Sequence, residues 1–316
     1  MTMLSDLLYS LNIVLPIMLI IAAGFAARKF NLIGPEGIKQ GNRCVFYIFL
    51  PLLLFSNIRS SQIDVAVDMK TILYAVVTVL FCFALLFFLI PRIAKDRNTY
   101  GVLIQGIARA NYAIYGIPLV MLIYPNSDTS IAAVIVICVI PIFNVLSTIA
   151  LMKYGSAKKS ALDILIGILL NPLIIGTTLG LLFLLFKLNI PAVLDTPIQK
   201  LGSIATPFAL FLLGTNMDFS QAKANLRVLS IAVIARLVIF PVVFLTGAIL
   251  IGIRDVSLAA LIALYGSPTA VSSFPMAQQL GGDADLASQQ VVFTTAFSGF
   301  TIFIWLFLLK TMGFLA

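Results

Sequence analysis

The 316-residue sequence contains no histidine, one glutamate, one tryptophan and three cysteines. Each scarcity excludes a class of chemistry. Cys44, Cys82 and Cys138 lie in three different apolar runs without CxxC spacing, so no zinc cluster, redox pair or disulfide framework is predicted, and no cofactor or metal is expected. Charged residues make up 10% of the chain, against about 25% in a soluble domain, which excludes an ordinary soluble protein. The single glutamate, Glu36, falls in a predicted loop, and no aspartate falls near the middle of an apolar run. Carriers that couple to protons or sodium commonly place a carboxylate there, so coupling through an embedded acid is disfavoured. An enzyme would need positioned acids, bases, nucleophiles or metal ligands, and the apolar runs supply no such set.

What the chain does have is hydrophobic length: 61% of its residues are hydrophobic and the mean hydropathy is +1.12. A spanning helix needs about 20 apolar residues, and ten runs answer that description, at 8–27, 45–55, 71–90, 100–124, 131–152, 162–186, 201–214, 229–251, 256–280 and 286–309. The second and seventh are short and reach spanning length only if Gly41, Asn42 and Ser203 enter the helices, which places both in the interior rather than against lipid. The first run is too long for a signal peptide and has no small-residue cleavage site, so it is read as a retained helix.

The net charge of +8 is explained by topology. With ten spans, twelve Lys and Arg fall in loops on one side and six on the other, while Arg109 and Arg236 fall inside spans. The positive-inside rule then makes the twelve-charge side cytoplasmic, with both termini outside the cytoplasmic membrane. No basic patch remains for nucleic acid.

Short words recur along the chain. Pro16 and Pro51 are echoed by Pro172 and Pro207, 156 residues later. Tyr115-Gly116-Ile117-Pro118 with Pro125 is echoed by Tyr265-Gly266-Ser267-Pro268 with Pro275, 150 residues later. Both offsets map span n onto span n+5, as a duplicated five-helix unit requires; because five is odd, the second copy is inverted in the membrane. The expected architecture is an all-α polytopic protein of ten spans in two inverted repeats, 1–155 and 156–316, with broken fourth and ninth helices that cross. Scaffold and transport domains would each draw helices from both repeats.

The Tyr-Gly-X-Pro words lie within those two spans, and a proline there removes a hydrogen bond and clashes with the preceding turn. Breaks at Pro118 and Pro268 would put each proline at the first position of a second half-helix, whose free N–H groups and positive end attract an anion. Ser267 and Thr269 would add hydroxyls, and Tyr112, Tyr115 and Tyr265 phenols. Arg109 and Asn111 lie seven to nine residues before Pro118, and the Asn111 amide can orient a carboxylate without the desolvation cost of a second charge. The expected substrate-binding set is Arg109, Asn111, Tyr112, Tyr115, Gly116, Pro118, Tyr265, Gly266, Ser267, Pro268 and Thr269. Arg236 is expected to snorkel to the headgroups, Asp218 to cap or gate the seventh span, and Asn57, Asn144, Asn171 and Gln289 to face the site or a neighbouring helix.

The run Asn111-Tyr112-Ala113-Ile114-Tyr115-Gly116-Ile117-Pro118-Leu119 resembles the Asn-x4-Gly-Ile-Pro-Leu crossover motif of the auxin efflux carrier family. Asn42-Arg43-x-Val45 followed by Pro51-Leu52-Leu53-x-Phe55 is similar to that family's second helix. The family includes plant auxin exporters and bacterial permeases for malate, malonate and related acids. The resemblance implies two inverted five-helix repeats crossing at the fourth and ninth helices, with Asn111 on the substrate carboxylate and Pro118 and Pro268 at the crossover. The plant exporters' long polar loop is absent, since only residues 154–160 join the fifth and sixth spans, and Arg109 stands beside the motif. Both departures favour a small microbial organic-acid permease that works by alternating access, with lipid and a small organic anion as partners and a homodimer as one option. The other readings are a sodium-coupled bile-acid-type symporter and a receptor that binds an organic acid without moving it.

Overall fold

The computed structural model describes residues 3–61, 68–124, 130–156, 159–217 and 225–315. The helices run, in chain order, α1 (Met3–Lys29), α2 (Pro35–Arg59), α3 (Met69–Ile93), α4 (Arg97–Ala108), α5 (Tyr112–Ile123), α6 (Ser130–Tyr154), α7 (Ala161–Leu169), α8 (Pro172–Leu185), α9 (Ala192–Asn216), α10 (Leu226–Leu250), α11 (Asp255–Gly266), α12 (Ser273–Leu280) and α13 (Ala284–Thr311). No strand occurs among the described residues; one isolated antiparallel bridge joins Ala110 to Thr269. Five helices, α2, α3, α6, α10 and α13, are long and apolar enough to cross a membrane, and α7 with α8, bent by 49°, makes a sixth if counted as one span. The protein is therefore a multi-pass, all-helical membrane protein.

Local chemistry explains the helix ends. Asp68 accepts from Thr71 N at the start of α3, Ser160 and Asp163 form a reciprocal capping box on α7, and Asp283 accepts from Leu286 N at α13. Asn171 caps α8, with Pro172 at its first position, and the chain bends there, so the run at 162–186 is two helices rather than one. Gly281, at φ +85°, ends α12 in the left-handed conformation. In α2 and α10 a π-helical turn, Val45–Phe49 and Ala235–Ile239, sits just ahead of a proline, Pro51 and Pro241. A proline ring collides with the carbonyl four residues back, and a widened turn makes room for it. In α10 the Leu237 carbonyl accepts from Trp305 Nε1 at 3.2 Å.

Polar flanks do enter the second and seventh spans, since Gly41 and Asn42 lie in α2 and Ser203 in α9. Neither helix is an interior one. Tyr47, Ile48, Leu201 and Ile204 are exposed, because a helix hydrophobic on several faces can present one to lipid, where apolar exposure is favourable. Close backbone approach holds α9 to α1: a Cβ on Gly24 would stand 2.0 Å from the Phe211 carbonyl oxygen, and one on Gly214 2.0 Å from that of Ile21. Small residues at such crossings let membrane helices pack where no hydrophobic drive separates protein from lipid. An ion pair between Arg59 and Asp195 ties the end of α2 to the start of α9.

The centre of the molecule belongs to α4 and α11. From Gly101 to Ala108 and from Leu258 to Gly266 every residue is buried. Helices apolar on all sides are core elements, and these two lead into the chain breaks that make the site.

Candidate functional site

The chain unwinds at Arg109–Asn111 between α4 and α5, and again at 267–272 between α11 and α12. The two unwound segments lie against each other as a short antiparallel pair. Asn111 N donates to Pro268 O at 2.8 Å and Ala270 N donates to Arg109 O at 3.1 Å. Thr269 is fastened from two more sides, its Oγ1 donating to Gly106 O at 2.6 Å and its N–H to Thr294 Oγ1 at 3.1 Å. Each segment thus satisfies polar backbone that the other exposes, the condition for irregular chain at membrane depth.

The helices break and cross, but not where the prolines predicted. Pro118 is the seventh residue of α5, and that helix is continuous through it. Pro268 lies in the break yet five residues ahead of α12 rather than at its first position. The Tyr-Gly-X-Pro words are therefore not equivalent: Tyr115 and Gly116 belong to a second half-helix, Tyr265 and Gly266 to the end of a first one. A membrane helix tolerates an internal proline when neighbours satisfy the freed carbonyl; the mutual backbone pairing at Ala110 and Thr269 locates the break instead.

A small cavity of about 60 Å³ opens beside the crossing. Arg109, Ala110, Asn111, Ala113 and Ile114 line it from the first break, Ala270, Val271 and Ser272 from the second, and Asn57 and Thr206 face it from α2 and α9. The starts of α5 and α12 both meet this space, and the side chains of their caps, Asn111 and Ser272, make no capping hydrogen bond. The Asn111 Nδ2 group is buried with no hydrogen-bond partner among the described residues. Arg109, 4% exposed, donates through Nη2 to Asn144 Oδ1 at 2.8 Å and through Nη1 to Met276 Sδ. Asn144 Nδ2 continues to Thr177 Oγ1 at 3.0 Å, and Thr148 Oγ1 accepts from Asn171 Nδ2 at 2.8 Å. No carboxylate pairs with Arg109 among the described residues.

Of the residues singled out in the sequence, the structure brings Arg109, Asn111 and Asn57 to this cavity, and Asn144 to Arg109 behind it. Tyr265 points away: its hydroxyl bonds Thr78 on α3 and its ring packs 5.0 Å from Phe244. The Tyr115 hydroxyl lies 3.5 Å from Ser298, Tyr112 packs on Gly116, and Ser267, Pro268 and Thr269 contribute backbone to the crossing rather than side chains to the cavity. Gly116, Pro118 and Gly266 do not line the cavity either. Asp218 and Pro125 lie outside the described residues. Gln289 accepts from Asn225 at 3.2 Å, away from the cavity.

Arg236 departs most from expectation. It does not reach for headgroups; it is 2% exposed, and its guanidinium donates to Ser267 O at 2.9 Å, Leu264 O at 2.8 Å and Ile107 O at 3.3 Å. Sequence position suggests snorkelling because seven residues into a span is within reach of the interface, whereas the carbonyls of Ser267, Leu264 and Ile107 hold Arg236 inward. Thr206 and Ser272 were not singled out by sequence, being two hydroxyl residues among many.

A buried crossing of two interrupted helices, beside a largely apolar cavity that Asn57, Arg109 and Asn111 enter, is an architecture suited to moving a solute across a membrane, and the family match makes the protein a membrane transport protein. Residues 9–306 match the membrane transport protein family Mem_trans, and the chain belongs to it, the auxin efflux carrier family. It is 27% identical over 311 residues to a Rhizobium meliloti (strain 1021) protein named "Putative malonate transporter", covering 95% of this chain and 96% of that one. It is 24% identical over 304 residues to an uncharacterized transporter of Methanocaldococcus jannaschii, covering 93% and 97%.

Proposed function

We propose that this transporter is a secondary carrier of small organic dianions, of the malate or malonate type, which binds one carboxylate at the crossing and the other at Arg109. The observation that carries the reading is the pairing of Arg109 and Asn111 in one cavity with the open start of α5. Each helix start is equivalent to roughly half a positive charge, and a guanidinium adds a full one. The start of α12 already spends its N–H groups on Ala270 O and Val271 O, so roughly one and a half positive charges, from Arg109 and the start of α5, face the space with no carboxylate among the described residues to meet them, which suits a dianion better than a monoanion. The Rhizobium relative's name points to the same class of substrate.

Alternating access of two inverted repeats, 1–155 and 156–316, is the mechanism we assign. Element lengths support it: α2 and α9, and likewise α3 and α10, span 25 residues each and begin 157 residues apart. The bent pair α7 and α8 would then stand for the sixth span and the half-helix pairs for the fourth and ninth. The loop charges favour the cytoplasmic membrane with both termini outside.

Counterflow in proteoliposomes across mono- and dicarboxylates, with sodium and membrane potential varied separately, tests this reading. Saturable exchange of dicarboxylates is the expected result. Binding without flux would make the protein a receptor, and strict sodium dependence would make it a symporter. Asn111→Ala should weaken dicarboxylate binding about tenfold, the worth of roughly one hydrogen bond to a charged group, with little change in melting temperature because Asn111 Nδ2 has no partner among the described residues. Asn144→Asp should act in the opposite sense on the two measurements. A carboxylate 2.8 Å from Arg109 would serve as an internal anion, raising the melting temperature and depressing substrate affinity; unchanged affinity would detach Arg109 from the site.

A further inference from the structure

Resting on the carrier reading above, we infer that Arg236 is a built-in counter-cation of the crossover, holding the place at which other carriers could bind an alkali cation. Its guanidinium faces carbonyls from two different helix ends: Ile107 O, with Ala108 O at 3.5 Å, from the end of α4, and Leu264 O with Ser267 O from the end of α11. The C-terminal end of a helix is equivalent to roughly half a negative charge, so two ends converging on one point carry about one charge, which one guanidinium cancels. The small cavity beside Arg236 is lined by Val79, Cys82, Phe143, Phe240, Phe244 and Tyr265, and a guanidinium buried among such groups is stable only where hydrogen bonds and opposite charge compensate its lost hydration.

Unwound carbonyls and half-helix C-terminal ends are also the chemistry with which carriers coordinate sodium. Here those oxygens are occupied by a group attached to α10 that cannot dissociate. The crossover is thus divided by sign. Two negative ends are permanently neutralised on the Arg236 side, and the open start of α5 remains beside Arg109 on the other side for the anion. The site that sodium or potassium would need is filled, so the folded state and the transport cycle are indifferent to both ions.

The test uses the full chain, purified in detergent and reconstituted. Wild-type melting temperature should be the same in sodium, potassium and choline chloride at equal concentration, and Arg236→Lys should keep that indifference. Arg236→Met should melt lower in choline and recover about half or more of the loss in millimolar methylguanidinium, a free cation able to re-enter the vacated place. Saturable stabilisation of the wild type by sodium or potassium would overturn the inference, as would an Arg236→Met protein that melts like wild type in choline. If Arg236→Met is folded only when purified with methylguanidinium or sodium, the inference stands; if none of these cations yields folded protein, it falls. Reconstituted wild type should exchange dicarboxylates equally in sodium and choline. No exchange in either medium, with the melting pattern intact, would sink the carrier reading and leave the role of Arg236 in place, whereas sodium-dependent exchange would remove that role.

Discussion

Arg109→Gln is expected to lower dicarboxylate affinity about 10- to 100-fold while weakening monocarboxylates by a clearly smaller factor. Arg109 is 4% exposed and lines the cavity beside the crossing, so solvent does not screen it as it would a surface charge. A hydrogen bond to a charged group is worth about 1.5–3 kcal/mol, and each 1.4 kcal/mol is about a factor of ten in affinity. Glutamine keeps a donor toward Asn144 but removes the charge proposed to meet the second carboxylate. The pH dependence follows from the substrate rather than the protein. Below its second ionisation the ligand is a monoanion, so mutant and wild type should converge as pH falls and separate as it rises. A mono-to-dianion ratio that Arg109→Gln leaves unchanged across that range would remove the reason for preferring dicarboxylates.

The second large effect is structural. Gly24→Leu should destabilise the protein by about 3 kcal/mol or more, beyond the usual 1–3 kcal/mol of overpacking, and should reduce the monodisperse fraction after extraction. The atoms it would strike are backbone, the Phe211 carbonyl at 2.0 Å and the Gly214 Cα at 3.2 Å, which cannot swing aside as a side chain can. To admit the new side chain, α1 and α9 would have to separate, breaking the bond from Arg28 Nη1 to Thr215 O as well. Gly34→Ala is the control, because a Cβ there meets nothing within 4 Å. Comparison of thermal melting and size-exclusion profiles decides it; a Gly24→Leu protein that matches Gly34→Ala would mean that the α1–α9 contact is not this close in the membrane.

Much of the architecture is legible in the sequence because the bilayer is a demanding solvent. A chain with 10% charged residues and long apolar runs has one class of structure open to it among helical proteins, and composition together with the crossover word around Asn111 led to the family that the whole-chain match establishes. Span lengths were less legible. Gly41, Asn42 and Ser203 had to be allowed into helices against their polarity, and exposed Tyr47 and Leu201 show that a short apolar run need not be an interior helix.

At the site, residue type and position had different fates. Arg109 and Asn111 stood out because polar groups at membrane depth are costly, and that cost holds whatever the fold, so the sequence by itself determined which residues had to be accounted for. It did not determine where the helices break or which way Arg236 points. Proline is a local signal, and Pro118 is accommodated inside α5; the break falls at Arg109–Asn111 because a second segment, more than 150 residues away, accepts from Asn111 N at Pro268 O and donates from Ala270 N to Arg109 O. Arg236 turns inward because carbonyls from the ends of two other helices meet there. Both outcomes depend on backbone groups that every residue carries alike. Only the tertiary structure, by bringing distant helix ends to one point, gives those groups a partner and a charge.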